Sequence, residues 1–194
     1  MTRRGVSVAV LAVFAAVASA KAAEGYATRA QLEALSGVYA SSAPEPWYGG
    51  YGTRRFTFER GRWALTFVHA LEPQMTQRTF QFRTEGPYRV GAPSTAVPGA
   101  FDAVFGYDAK YVTLLTADEG LGGLFAGCGL KLNVEVDISK TGCASWKPVA
   151  QCAEDHDLLA MDAKGVYFGV RARDNDMCTP EKRGTALLRP VVKQ

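Results

Sequence analysis

Apolar and polar residues alternate along segment 54–67 in the way expected of a β-hairpin. Side chains of a strand point alternately to opposite faces, so the apolar positions of this segment share one face. A two-residue loop at Arg60-Gly61 pairs apolar residues with each other on that face, and an acid with a base on the other. The predicted pairs are Phe58 with Trp63, Phe56 with Leu65, and Glu59 with Arg62.

A third alternating run, Thr79–Arg83, extends this sheet. With a turn centred on Pro73-Gln74, the predicted pairs are Phe67 with Phe80 and Leu65 with Phe82. We expect His69 on the opposite, outward face. A sheet with one aromatic face must cover that face, and it can do so by closing into a barrel, whose interior is either filled or holds a ligand.

Similar short segments continue to the end of the chain. Alternation is cleanest at 130–138, and Thr28-Arg29-Ala30-Gln31 resembles a capping box that begins a helix. The other predicted elements are a turn at Glu85-Gly86-Pro87 and strands at Tyr88–Val90, Phe101–Tyr107, Tyr111–Thr116, Asp157–Met161, Val166–Val170 and Thr185–Val192. The sequence therefore predicts an all-β fold, a single antiparallel meander of roughly eight to ten strands that closes into a barrel or half-barrel, with a short N-terminal helix.

The N-terminus has the pattern of a secretory signal peptide at residues 1–20. Two arginines precede the apolar stretch Val6–Val17, and Ala18-Ser19-Ala20 forms a small-x-small cleavage site. The apolar stretch is shorter than the roughly 20 residues that a membrane span needs. We predict cleavage after Ala20, with Ala23 as the second choice. The expected product is one secreted or periplasmic β-barrel domain, residues 21–194, with no transmembrane segment.

The charge distribution excludes nucleic acid as a partner. The formal net charge is +3 for the whole chain and close to zero once the two N-terminal arginines are removed. Lysines and arginines are scattered along the chain, so it lacks the basic cluster that nucleic-acid binding requires.

Four cysteines, Cys128, Cys143, Cys152 and Cys178, predict two disulfides in an exported chain. Three pairings are open. A hairpin turning at Lys164-Gly165 brings Cys152 near Cys178, and this pair leaves Cys128 with Cys143. If 130–138 is one extended strand, it spans roughly 30 Å. The second pair then requires a bent strand, or the pairing differs.

The sequence contains no recognised catalytic or metal-binding motif. It lacks Gly-x-Ser-x-Gly, His-Glu-x-x-His, a phosphate-binding glycine loop and Cys-x-x-Cys spacing. His156 lies among acidic neighbours, an arrangement more typical of a solvated loop than of a cation site. We therefore expect no catalytic residue, no bound metal and no cofactor.

Several short motifs resemble, in order, those of the adenomatosis-polyposis-coli-down-regulated domain. The first half contains Thr53-Arg54-Arg55-Phe56-Thr57-Phe58, Glu72-Pro73, Thr79-Phe80 and Gly86-Pro87-Tyr88. The second half contains Cys128-Gly129, Val136-Asp137-Ile138-Ser139-x-Thr141-Gly142-Cys143, His156-Asp157-Leu158-Leu159, Tyr167-Phe168-Gly169, Arg183-Gly184-Thr185 and Leu188-x-Pro190-Val191-Val192. The family comprises animal Wnt antagonists and single-copy bacterial relatives, and this chain is more similar to the latter.

The resemblance implies a lipocalin-like barrel with an apolar cavity for acyl or other lipid groups. Two departures from the family pattern stand out. Ser41, Ser42 and 74–77 occupy the stretches where the family has a further pair of cysteines, and the tryptophan usual after the Cys-Gly motif is missing. A single copy without a membrane anchor does not imply Wnt antagonism.

We predict that the barrel binds a hydrophobic small molecule or a lipid moiety through its aromatic face and an aromatic loop at its mouth. The candidate ligand-binding residues are Trp47, Tyr48, Tyr51, Phe56, Phe58, Trp63, Leu65, Phe67, Phe80 and Phe82. The alternative is a protein-interaction or envelope-assembly module, in which the same aromatics form a packed core and the aromatic loop at 47–51 contacts another exported protein.

Overall fold

A computed structural model describes residues 25–118, 120 and 123–194. The predicted signal peptide and its cleavage sites lie outside these residues. One short helix, α1, spans Arg29–Glu33. The strands are β1 (Gly37–Ser41), β2 (Glu45–Trp47), β3 (Gly50–Glu59), β4 (Arg62–Ala70), β5 (Arg78–Pro93), β6 (Phe101–Gly106), β7 (Ala109–Leu114), β8 (Glu135–Asp137), β9 (Glu154–Asp162), β10 (Gly165–Phe168) and β11 (Val191–Lys193). Two 3₁₀ turns lie at Gly123–Phe125 and Pro180–Lys182.

Eight of these strands close into an antiparallel barrel, which confirms the all-β prediction and settles it as a barrel. Around the barrel the order is β1, β3, β4, β5, β6, β9, β10 and β11, and β11 pairs with β1 to complete the circle. Three further strands extend the sheet from the barrel wall, with β2 on β3, β7 on β5 and β8 on β7.

The first hairpin has the predicted register. Phe58 pairs with Trp63, Phe56 with Leu65, and Glu59 with Arg62. The loop residues Arg60 and Gly61 both have positive φ, 49° and 73°. Two such residues in succession give the turn whose twist matches that of the flanking strands, which fixes this register.

The next pairing is displaced by two residues from the predicted one. Phe67 lies opposite Phe82, and Phe80 lies opposite His69. The register shifts between His69 and Ala70, and the Glu72 carboxylate accepts hydrogen bonds from backbone N–H groups within the loop at 71–77. A displacement of two residues keeps every side chain on its face, so the aromatic surface persists although its pairs differ.

The predicted turn at Glu85-Gly86-Pro87 is wrong, because β5 continues through it. On one side of β5, pairing with β7 ends at Glu85 and pairing with β6 begins at Tyr88. Pro87 therefore lies where the neighbouring strand changes, and its missing N–H interrupts no ladder there.

The single strand predicted at 130–138 is also wrong, since only Glu135–Asp137 is a strand. Asn133 has a φ of 58°, which bends the chain. Leu132 and Val134 are consequently exposed. The bend allows Cys128 to pair with Cys143, and Cys152 pairs with Cys178, as predicted.

Among the described residues, the apolar core consists of two large clusters and a smaller third one around Ala100, Leu158 and Ala160. The closed-end cluster combines Leu32 of α1 with barrel residues that include Phe58, Trp63, Tyr88 and Phe105. The second cluster lies where β7 and β8 extend the sheet from the barrel wall, and we call it the flap cluster. It covers the inner face of β4, β5, β7 and β8 and includes Phe67, Phe80, Phe82, Phe125 and Trp146. Leu65 packs against both large clusters, so they meet in the middle of β4.

Candidate functional site

A cavity of about 80 Å³ lies where the two clusters meet. Its lining is mostly aromatic and aliphatic. These lining residues are Trp47, Tyr48, Phe56, Trp63, Leu65, Phe67, Phe82, Phe105, Tyr107, Trp146, Phe168 and Leu188. The volume is about half of the roughly 150 Å³ of an engineered apolar cavity that holds benzene. The cavity thus matches a small molecule or one end of a longer one.

Seven of the ten predicted ligand-binding residues line this cavity: Trp47, Tyr48, Phe56, Trp63, Leu65, Phe67 and Phe82. The other three lie elsewhere. Phe58 is buried in the closed-end cluster, and Phe80 packs on Phe125 and Trp146 in the flap cluster. Tyr51 is half-buried on β3 opposite Pro46 and Ala70.

The loop between β2 and β3 forms one side of the mouth of the cavity. Tyr48 and Gly49 have φ values of 49° and 81°, as a two-residue hairpin loop requires. Gly52 permits close packing behind the loop, because a Cβ there would lie 2.4 Å from the Phe67 ring. Trp47 consequently packs edge-on against Phe67, with ring centroids 5.5 Å apart. The loop side chains are held against the cavity wall.

Arg54 also lines the cavity and is only 4% exposed. Its guanidinium donates to both carboxylate oxygens of Glu45, at 2.9 and 3.0 Å from Nη2, and to the Arg189 carbonyl at 2.8 Å. Its Nη1 is buried and makes no hydrogen bond to any described residue. The site therefore contains a buried donor in need of an acceptor.

A second charged group lies across the cavity on β9 and the segment after β10. Arg171 donates to Asp155 at 2.6 Å and to the Asn175 side chain at 2.5 Å. The Tyr48 hydroxyl donates to the same Asn175 oxygen at 3.1 Å. This chain of contacts connects the mouth loop to the wall of the barrel, and the Cys152–Cys178 disulfide holds segment 171–178 beside the start of β9.

Asp157 is the third acidic group near the cavity, and its carboxylate has no cationic hydrogen-bond partner among the described residues, although Arg183 donates to its main-chain carbonyl at 3.0 Å. Its Oδ1 accepts from the backbone N–H groups of Leu158 and Gly169, at 2.7 and 2.8 Å. Burial raises the pKa of Asp157 to about 6, although the Arg171 charge acts in the opposite direction. Burial and the neighbouring Asp155 likewise raise the pKa of Tyr107.

Lys110 is buried behind this cluster and is 3% exposed. Its ammonium donates to the carbonyls of Lys147 and Cys152, both at 3.1 Å, and lies 4.0 Å from the centre of the Tyr107 ring. Burial lowers the pKa of Lys110 to about 8. Through these two hydrogen bonds, Lys110 connects β7 to segment 147–152, which ends at the Cys152–Cys178 disulfide.

The predicted outward position of His69 is wrong. His69 is 5% exposed and contacts the Thr79 hydroxyl at 2.6 Å and the Trp47 carbonyl at 3.0 Å. It lies two residues after Phe67 and hence on the same face, so the alternation itself should have placed it inside. Burial lowers the pKa of His69, which favours the neutral ring.

His156 lies within β9, not in a solvated loop, and its ring is 3.4 Å from Glu154. Among the described residues, no group of three or more His, Cys, Asp or Glu side chains could hold a metal ion. No helix in the described part of the chain is long and apolar enough to span a membrane. Two disulfides are typical of proteins in an oxidising compartment.

The polar residues of the site were missed by the sequence reasoning, although two signals pointed to them. Arg54 lies two residues before Phe56 and four before Phe58 on β3, so it shares their inward face. Asp157 and Asp155 lie two and four residues before Leu159 on β9 and share its face in the same way. A strand that faces the interior at one position faces it two residues on, whatever the residue type.

The sequence matches no protein-family model, and a search of curated proteins found no match. The arrangement described above is therefore interpreted from its own chemistry. It offers an aromatic enclosure, one unpartnered buried donor, and a polar wall made of two ion pairs and the Asp157 carboxyl group.

Proposed function

We propose that this protein is an exported β-barrel that binds a hydrophobic small molecule in the cavity between its two apolar clusters. The observation that carries the proposal is the cavity of about 80 Å³, lined mainly by aromatic side chains. Protein interiors are otherwise packed with few voids larger than a water molecule. A void of this size inside an aromatic wall is thus a binding-site candidate.

The dimensions of the cavity favour a compact ligand. Burial of apolar surface contributes roughly 25 cal/mol per Å² before the costs of association, so a small ring or short chain gains a few kcal/mol at most. A lipid moiety fits this cavity with one end of its chain, and a longer segment requires displacement of the mouth loop at Tyr48. We therefore propose a small apolar molecule first and a lipid group second.

Export is supported by two features. The N-terminal sequence has the composition of a signal peptide, and the four cysteines form two disulfides. The resemblance to the adenomatosis-polyposis-coli-down-regulated domain adds the expectation of a lipocalin-like binding barrel. We propose membership of that family on the ordered motifs alone.

Native mass spectrometry of the mature protein purified from its host tests the proposal, followed by extraction of whatever is bound. We expect an apolar adduct in stoichiometric amount, and its loss in the cavity-filling variant Leu65→Phe. Leu132→Phe is the matched control, because Leu132 is 46% exposed and lies outside the cavity. Both variants should melt as cooperatively as the natural protein.

An apo mass with no uptake of added small apolar compounds would contradict the proposal. The protein-interaction module would then become the working hypothesis. One observation favours a surface for it: Leu124, Leu132 and Val134 are 69%, 46% and 48% exposed and lie on or beside the segment that leads to β8.

A further inference from the structure

The unpartnered nitrogen of Arg54 indicates that a ligand in this cavity should carry a hydrogen-bond acceptor. Buried polar atoms nearly always have a hydrogen-bond partner, and leaving one without a partner costs free energy. Only two buried side-chain atoms among the described residues lack one, Arg54 Nη1 and Glu72 Oε2. Glu72 lies in the loop between β4 and β5, whereas Arg54 lines the cavity.

The charges around the cavity decide between a neutral and an anionic acceptor. Glu45 already balances the Arg54 charge through two oxygens, and Asp155 balances Arg171. Asp157 adds a third carboxyl group close by. A ligand carboxylate would be an additional negative charge in a poorly solvated enclosure, and such a charge is costly to bury without its own counter-ion. A neutral oxygen acceptor carries no such cost.

We propose that the occupant of the cavity is a small neutral molecule with a carbonyl-type oxygen that accepts a hydrogen bond from Arg54 Nη1. This inference rests on the proposed function, since it specifies the ligand of the same cavity. The aromatic wall holds the hydrocarbon part, and Arg54 fixes the orientation of the oxygen. Glu45 accepts hydrogen bonds from the other two guanidinium nitrogens, Nε and Nη2, and so holds the guanidinium in place.

Three probes of the same ring size separate the alternatives. Cyclopentanone supplies a neutral carbonyl, methylenecyclopentane has the same shape without the acceptor, and cyclopentanecarboxylate supplies an anion. We expect calorimetric titration to show cyclopentanone binding at least tenfold more tightly than either of the other two. In water alone the hydrocarbon has the stronger tendency to leave solvent, so this order requires a donor in the site.

The double variant Glu45→Leu, Arg54→Met removes the donor together with its partner, so that no unpaired charge is left buried. We expect the preference to invert in this variant, with methylenecyclopentane binding more tightly than cyclopentanone. Arg55→Met is the matched control, because Arg55 is the next residue of β3 and is exposed on its outer face. This control should keep the preference for the ketone.

A measurement on the natural protein covers the case in which the double variant does not fold. The carbonyl stretching band of bound cyclopentanone should move to lower frequency than in an alkane solvent, as expected of a hydrogen-bonded carbonyl. An unshifted band would overturn the inference.

The inference and the proposed function fail in different ways. Equal binding of the ketone and the alkene, or tightest binding of the carboxylate, overturns the carbonyl inference and leaves a binding barrel. Retention of the ketone preference in a folded double variant shows that Arg54 is not the donor and overturns the inference as well. Absence of binding by all three probes overturns the inference, and the proposed function fails with it if native mass spectrometry also gives an apo mass with no uptake of small apolar compounds.

Discussion

The two ends of the barrel use the same alternation of residues for different purposes. At the closed end, Phe58 and the α1 residue Leu32 are almost completely buried, and the Tyr88 hydroxyl donates to the Leu32 carbonyl at 2.8 Å. At the mouth end, the inward positions are taken by Arg54 and Asp157. These side chains are buried at both ends, but among the described residues only the mouth end combines a void with an unpartnered polar atom.

Under the proposed function, this difference corresponds to a division between stability and binding. Apolar groups packed at the closed end contribute free energy of folding in proportion to the surface they bury. Buried ion pairs such as Arg54–Glu45 contribute little net stability, because desolvation offsets their attraction. Net stability therefore does not account for the Arg54–Glu45 pair at the mouth end, whereas the proposed role in ligand recognition does.

The largest expected effect comes from the closed end. Phe58→Ala removes a ring that is 1% exposed and leaves a cavity, so we expect the free energy of unfolding to fall by roughly 3–5 kcal/mol. Urea denaturation measures this change. Leu124→Ala, at a side chain 69% exposed, should change it by less than about 0.5 kcal/mol. Comparable losses in the two variants would refute the assignment of the closed end as the stability core.

The fold was predictable wherever local geometry and residue pattern agreed. The β3–β4 hairpin has a two-residue loop, and a short loop fixes its register. The β4–β5 loop is longer, so its register depends on contacts of Glu72 that no alternation reveals. Gly86-Pro87 has the composition of a turn, yet the change of neighbouring strand beside it allows β5 to continue.

The candidate site was predictable in its apolar part alone. Alternation identified the aromatic wall because aromatic residues are expected to face inward. The same expectation excluded Arg54 and Asp157 from the predicted site, since charged residues are seldom buried without partners. Their partners are near in sequence: Glu45 contacts Arg54 across the β2–β3 hairpin, and Asp157 accepts from the N–H groups of the adjacent Leu158 and of Gly169 just after β10. Alternation predicts the face on which a residue lies but not these hydrogen bonds.

The second prediction concerns the mouth end and its pH dependence. The pKa of Asp157 is about 6 in the folded protein, against an ordinary value of 3.8. Between these values the folded state keeps its proton while the unfolded state loses it, so stability falls as the pH rises. Asp157→Asn removes this loss. We expect the variant to gain about 2–3 kcal/mol relative to the natural protein between pH 3.5 and pH 7.5.

Urea denaturation across this pH range measures that gain. Asp174→Asn is the control with the opposite sign, because the Asp176 N–H lowers the pKa of the exposed Asp174. The stability that Asp174 contributes is present above its ordinary pKa and is lost as the pH falls, so Asp174→Asn should lose stability relative to the natural protein as the pH rises. A pH-independent difference for Asp157→Asn would show that folding does not raise the pKa of Asp157.

The smallest expected effect tests whether the two ends are independent. Thr28 begins α1 through a capping box, in which the Gln31 N–H donates to its hydroxyl and the Gln31 side chain accepts from its N–H. Thr28→Ala should lower the free energy of unfolding by about 1 kcal/mol. Arg29→Ala, which removes only an exposed ion pair, should cost less than about 0.5 kcal/mol.

Ligand affinity at the mouth end should be unchanged in both helix variants, because α1 packs on the closed-end cluster and none of its residues lines the cavity. The affinity can be measured by titration with the same ring compounds used to probe Arg54. An affinity that falls together with the stability of α1 would mean that the closed end and the mouth end form one cooperative unit. The division between a packed end and a binding end would then describe the chemistry of the barrel but not its energetics.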